Sequence, residues 1–197
     1  MKVLSVLFSL LLLGHISGFS QIEQLSFTEM EDLQYLYEEE RLAHDIYTAL
    51  SDKWELSIFE NIAESEKRHV EHLLVIYEKY GLRVPKVGDG FYNYPELNML
   101  FDRFFEGGMM TLESSLTLAG NFEEYDIADL ERYLEHTQNV DLILVYNTLL
   151  EGSKNHLRVI HRNLKKNGYE YEPVFLEKRH FQVILQEMNC IKKLEFN

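Results

Sequence analysis

Between Ile58 and His69 the chain reads IFENIAESEKRH, and at helical spacing Phe59, Ile62, Ala63, Glu66 and His69 fall along one side. A carboxylate and an imidazole therefore continue an apolar stripe that must face a core. An ionised Glu buried without a partner is costly, and a metal cation is one of the few partners that also wants the imidazole one turn away. Glu-x-x-His is the spacing by which helix bundles bring both groups from one helix onto shared metals. Alone it is a weak signal, common on solvated helix faces, so a site requires ligands from other helices.

The rest of the chain is suited to supply helices. Three prolines and ten glycines in 197 residues predict a mostly helical protein, and 46% hydrophobic with 26% charged residues suits one globular domain. From Phe27, FTEMEDLQYLYEEERLAHDIYTALSDKW predicts a long first helix, with Thr28 as its cap and Glu31 three residues on. Leu36, Ala43, Tyr47 and Leu50 form its stripe. Glu39 and Glu40 border that stripe, Glu40 lying between Leu36 and Ala43, while Glu38 is expected in solvent as charge runs usually are.

A short linker containing Ser57 leads to the second helix, which stops near Gly81; His72 is expected to meet water. RVPKVGDGFYNY, from Arg83 to Tyr94, reads as irregular, and a short helix from Pro95 to Phe105 ends at Gly107 and Gly108. So long a connection suits a crossover along a bundle. The third main helix is expected from Thr111 to about His136, with Leu112, Leu116, Ala119, Glu123, Asp126, Leu130 and Tyr133 on one stripe and Glu124 turned to solvent. The fourth, from about Val140 to Asn167, turns inward Tyr146, Leu150 or Leu149, Ser153, His156 or Leu157, and Ile160, with His161 outside and Gly168 ending it. The tail offers one further amphipathic helix from about Glu177 to Met188, packed across the bundle.

A weak internal repeat joins these pieces. Glu40 precedes His69 by 29 residues and Asp126 precedes His156 by 30. Where the first half has Glu66 three residues before its histidine, the second has Ser153, but the third helix offers both Glu123 and Asp126. The candidate ligands are thus Glu40, Glu66, His69, Glu123, Asp126 and His156, and their four negative charges balance two divalent cations.

At these residues the chain resembles a known family. IFENIAESEKRH resembles the second helix of rubrerythrin-type members of the ferritin-like superfamily, and EEERLAHDIY their first, with Glu40, Ala43 and Tyr47 in matching places. Together with EEYDIADL and GSKNHLR, these motifs are similar to DUF2202, an uncharacterised family of ferritin-like proteins of bacteria and archaea, over about Leu33 to Asn167. The resemblance implies an all-α, ferritin-like four-helix bundle with a long crossover between helices 2 and 3, an extra C-terminal helix and a di-metal centre. It implies no settled substrate, and Ser153 departs from the Glu of the rubrerythrin pattern.

The function expected is that of a carboxylate-bridged di-iron oxidoreductase acting on Fe(II), oxygen or peroxide, with manganese the alternative metal. Glu123 is expected to shift between bridging and terminal roles, and Tyr47 and Tyr146 to hydrogen-bond ligands. Without a Cys-x-x-Cys pair, electrons must come from an external donor. The competing expectation is a non-catalytic helical domain holding a polar network or one structural metal, its acidic surface serving a partner protein.

Met1 to Ser20, MKVLSVLFSLLLLGHISGFS, reads as a cleaved secretory signal, its apolar run from Val3 to Leu13 being short for a span of about 20 residues. Residues 1–20 are therefore expected as signal, 21–170 as bundle and 171–197 as tail, with a periplasmic or secreted location; an uncleaved anchor is the lesser expectation. A net charge of -14 argues against nucleic acid or an anionic membrane as partner. Cys190 is the only cysteine, so no intrachain disulfide forms. No feature argues for a storage cage; a homodimer is the assembly considered.

Overall fold

Ser26, rather than Thr28, opens the first helix. Its hydroxyl accepts from Glu29 N at 3.2 Å and Glu29 Oε2 accepts from Ser26 N at 2.8 Å, a closed capping box. Ser26 and Thr28 each have a Glu three residues on; Ser26 prevails because Glu29 also accepts from the Thr137 hydroxyl, tying this helix start to a distant corner of the fold.

The computed structural model describes residues 24–86 and 90–195, so the signal and anchor readings of Met1 to Ser20 lie outside the described residues. Helices α1 (Phe27–Trp54), α2 (Ser57–Lys79), α3 (Pro95–Arg103), α4 (Leu112–His136), α5 (Val140–Lys166) and α6 (Lys178–Glu195) follow in order, and no strand occurs among the described residues. A π-helical turn, Phe104–Gly108, extends α3 where a plain helix end was expected. Ser57 is the first residue of α2, not part of a linker. The chain reverses instead at Glu55, whose left-handed φ of 50° lets its N–H reach Ser51 O at 2.9 Å. So short a turn lays α2 back along α1. Asn139 caps α5 by accepting from Asp141 N and Leu142 N at 3.0 and 3.2 Å, and α5 returns along α4. The two pairs meet with α2 against α5 and α1 against α4; α3 and the π turn cover the α1/α4 side, and α6 packs on α5.

Each long helix is apolar at two heights and polar between them. One core cluster takes Leu33 and Leu36 from α1, Leu73 and Tyr77 from α2, Leu130 and Tyr133 from α4, and Leu149 from α5. The other takes Leu42 and Ile46, Phe59 and Ile62, Leu116 and Ala119, and Ile160 from the same four helices. Burying each such side chain stabilises the fold by roughly 1.5–3 kcal/mol. Between the clusters sit Glu40, Glu66 with His69, Glu123 with Asp126, and Ser153 with His156, all buried.

Two glutamates expected in solvent are buried and hold other parts of the chain. Glu38 accepts from the backbone N of Asn93 at 2.5 Å and from its side-chain amide, fastening the crossover to α1. Glu124 Oε2 accepts from three successive backbone N–H groups, Val174, Phe175 and Leu176, at 2.8, 2.8 and 3.0 Å, while Oε1 accepts from Tyr171 O–H at 2.6 Å. One turn before Glu124, Gly120 leaves room for that ring: a Cβ there would lie 3.0 Å from Tyr171. Both carboxylates are satisfied by donors 47 or more residues away, which the helical period of their own segment does not reveal.

Candidate metal centre

Side chains from four helices converge in two triads that share one member. Glu40, Glu66 and His69 form the first, and Glu66, Glu123 and His156 the second, with the ligand atoms of each triad within 4.8 Å of one another. Glu66 divides its oxygens between them. Oε2 lies 2.7 Å from His69 Nδ1, and Oε1 lies 2.8 Å from His156 Nδ1. Glu40 Oε2 is 3.1 Å from His69 Nδ1, and Glu123 Oε2 is 3.4 Å from His156 Nδ1. The two imidazoles lie 5.7 Å apart, ring planes 27° from parallel. Helix α2 sets this geometry, since its three-residue spacing points Glu66 and His69 the same way while α5 supplies His156 from the facing pair.

These contacts match what a cation requires. Two ligands about 2.1 Å from a common ion at right angles stand about 3 Å apart. The contacts of Glu66 with the imidazoles have that length but not hydrogen-bond alignment: His156 Nδ1 makes no hydrogen bond despite the oxygen at 2.8 Å. Glu40 Oε1 and Asp126 Oδ1 are likewise buried with no partner. Such orphaned atoms are rare in a dry core; the hydroxyls of Tyr77 and Tyr146 are orphaned in the neighbouring apolar cluster, but these three nitrogen and carboxylate atoms share one polar layer. The buried carboxylate and histidine groups could therefore hold metal, and mixed oxygen and imidazole donors suit iron or manganese.

Without a cation the cluster holds protons. Burial opposes charge on His69, but Glu40 and Glu66 outweigh it and push the imidazole up to about 11. His156 is pushed up to about 10, Glu66 and Glu123 overcoming the same burial cost. Burial also opposes the Glu66 anion, yet His156 and His69 hold its carboxyl well below the usual carboxylate range. Glu40 is raised to about 8, chiefly by burial, and burial raises Glu123 and Asp126 as well. A cation entering this layer displaces those protons.

The repeat read from the sequence is half kept. Glu40 pairs with His69 as expected, but the carboxylate beside His156 is Glu123, not Asp126. Asp126 lies against Ser153, whose single proton goes to Leu149 O at 2.9 Å, leaving Asp126 Oδ1 unpartnered. Asp126 is therefore in the layer but in neither triad. Tyr47 donates to Glu123 Oε1 and is fully buried. Tyr146 does not reach the site; it packs on Tyr133, ring centroids 5.9 Å apart, in the cluster beyond the polar layer, because ten helical residues before His156 amount to about 15 Å of axis. His72 is exposed, and His161 meets the edge of Phe181 under α6.

Gly152 escaped the sequence reading. A Cβ on it would sit 2.5 Å from His69 Nε2 and 2.7 Å from Cε1, so the ring lies directly on the α5 backbone and only glycine admits it. Its place one residue before Ser153, on the inward face of α5, was the available signal. Glu39 was noted only as bordering the stripe, yet it is fully buried with neither oxygen hydrogen-bonded.

With this geometry in view, comparison with known proteins gives one consistent result. The chain is 36% identical over 165 residues to the uncharacterized protein MJ0754 of Methanocaldococcus jannaschii, covering 83% of this chain and 89% of that protein. The crystal structure of the hypothetical protein MJ0754 from Methanococcus jannaschii superimposes with a TM-score of 0.81 at 36% identity, over 84% of this chain and 95% of that one. Residues 29–188 match the family model described as an uncharacterized protein domain, DUF2202, and the chain belongs to that family.

Proposed function

We propose that this protein is a ferritin-like di-metal protein, with iron as its expected metal pair, and that it acts as an oxidoreductase on Fe(II), oxygen or peroxide. The observation that carries this reading is the division of Glu66, one oxygen to each histidine, at the centre of a layer fed by four helices. Two helix pairs joined by a long covered connection, with a carboxylate or imidazole from each helix, support the ferritin-like arrangement.

In this scheme Glu40 and His69 would hold one metal and Glu123 and His156 the other, with Glu66 common to both groups. When bound, a redox-active pair supplies the one-electron steps that the side chains cannot. Tyr47, through its hydrogen bond, sets the orientation of Glu123 and limits how far that carboxylate moves. Asp126 completes the charge balance from beside Ser153. The two apolar clusters keep bulk water from the layer. With Cys190 the sole cysteine, electrons come from an external donor.

The location proposed is periplasmic or secreted, on the character of Met1 to Ser20; among the described residues no helix is long and apolar enough to cross a membrane. Metal analysis of protein purified without chelator, followed by Fe(II) oxidation by the native chain and Glu66→Ala, tests the reading. It predicts two metals per chain and oxidation that the variant loses. Equal rates would remove the catalytic part. Absence of metal uptake would overturn the di-metal reading and leave a polar network that includes the 3.1 Å hydrogen bond between His69 and Glu40.

A further inference from the structure

Where α3, the π turn, α4 and the segment after α5 meet, the fold leaves a cavity of about 130 Å³, partly open to solvent. None of the residues of the two triads lines it. Its walls are largely aromatic, the rings of Phe104, Phe122, Tyr125 and Phe175, with Leu118 beside them. Tyr125 contributes its ring only, because its hydroxyl is engaged with that of Tyr35, oxygen to oxygen 2.6 Å.

These walls are fixed by contacts that the fold does not need for its core. Glu124 accepts from the backbone N–H groups of Val174 and Phe175 at 2.8 Å each, and Phe175 then meets Tyr125 edge to face, centroids 5.5 Å apart. On the opposite side the π turn lies flush on α4. A Cβ on Gly108 would stand 2.9 Å from Leu118 Cδ1 and 3.4 Å from the Phe104 ring, so glycine lets Phe104 and Leu118 form one continuous wall. π turns of this kind recur at functional sites.

Polar groups are few and sit together with the rings. Arg103 lines the cavity, is exposed, and has no carboxylate partner among the described residues. One end of the Asn121 amide is held by the Tyr171 hydroxyl at 3.0 Å, and the other end makes no hydrogen bond among the described residues. So apolar a lining suits water poorly, since an ordered water needs two to four polar partners, whereas an apolar cavity of about 150 Å³ accepts benzene. With a net charge of -14 the chain repels a bare anion, so an anion held here needs an apolar body to bury.

We propose that this cavity binds a small aromatic carboxylate, its ring seated among Phe104, Phe122, Tyr125 and Phe175 and its carboxylate paired with Arg103. A single benzene ring matches the volume, and the planar guanidinium at the cavity accepts a carboxylate through two parallel N–H donors. This site is separate from the Glu66 centre and does not rest on the di-metal reading.

The test is titration of the full chain with benzoate, followed by calorimetry and by the side-chain amide signal of Asn121 in nitrogen-15 NMR, on protein as purified and again after chelation. Saturable binding with Kd no weaker than about 1 mM is expected, a strength within reach of so small a ligand, together with a shift of the Asn121 signal. Arg103→Gln is expected to weaken benzoate by about tenfold or more while leaving benzamide, which has the same shape and no charge, bound as by the native chain. Leu118→Trp fills the cavity and abolishes binding of both. Absence of saturable binding by about 10 mM overturns the proposal, as does equal benzoate affinity in Arg103→Gln or butyrate binding as tightly as benzoate. Binding that disappears on chelation places benzoate at the metal centre and overturns it too, as does a dimer in sedimentation that benzoate fails to enter. Should Leu118→Trp fail to fold, the Asn121 signal decides: no shift at saturation overturns the assignment.

Discussion

Replacing Gly152 by alanine probes the centre without touching a ligand. The new Cβ would stand 2.5 Å from His69 Nε2, against about 3.4 Å for ordinary contact, so ring or helix must yield by about 0.9 Å. The ring cannot retreat freely, since Nδ1 on its other side is 3.1 Å from Glu40 and 2.7 Å from Glu66. Two stability effects then oppose each other. Alanine for glycine within a helix gains about 1 kcal/mol, whereas overpacking a buried contact costs about 1–3 kcal/mol, so the metal-free protein should be unchanged or destabilised by up to about 2 kcal/mol. Metal binding has no such compensation. A misplaced imidazole should weaken the Glu40 and His69 position by about 10–100-fold, as outer-shell substitutions do. Chelator competition measures the affinity and denaturant unfolding the stability. A variant stabilised by about 1 kcal/mol with native affinity would show that His69 does not need this seat.

Glu66→Gln should abolish both cation positions, whereas Glu40→Gln should spare the one held by Glu123 and His156; stoichiometry by metal analysis separates none from one. Tyr47→Phe should weaken binding at the Glu123 position by about 10–100-fold while costing the metal-free fold about 1 kcal/mol, measured by titration and unfolding. Metal-free stability should depend on pH with a definite sign. His69 and His156, raised to about 11 and 10 from 6.5, contribute stability that is full below 6.5 and lost as pH rises through those values, and Glu40, raised to about 8 from 4.5, adds to the decline. Glu66 is lowered, so its contribution is present above 4.5 and lost in acid. Unfolding midpoints of chelated protein should therefore begin to fall above about pH 4.5 through Glu40, and more steeply from about pH 6.5 towards pH 10 as the histidines join it, and added metal should remove the fall. Glu124→Ala should free the tail from α4 at a cost of about 1.5–3 kcal/mol, because the buried Leu176 N–H and the part-buried N–H groups of Val174 and Phe175 lose their charged acceptor. Proteolysis between 167 and 178, with metal stoichiometry unchanged, would mark that separation.

The face of each helix was legible because the helical period is local. Glu40, Glu66, His69, Glu123, Asp126 and His156 were placed inward by their apolar neighbours, and all six are buried together. Height along the axis was less legible. Tyr146 shares the inward stripe with His156 but lies in another layer, and the nearly equal spacing of the two halves favoured Asp126 as the partner of His156 where Glu123 stands. Hidden altogether were groups whose partners come from afar. Glu38 and Glu124 look like solvated members of charge runs until Asn93 and the segment Val174 to Leu176 reach them. Gly152 carries no side chain to betray its role; only the position of His69, contributed by another helix, gives it one.

The central claim is that Glu66 is shared by two cations. Anomalous diffraction from crystals grown with Fe(II) or Mn(II) tests it most directly. The account predicts two peaks about 3.5–4 Å apart, one beside His69 and Glu40 and the other beside His156 and Glu123, with an oxygen of Glu66 on each. A single peak, or density away from Glu66, would contradict it.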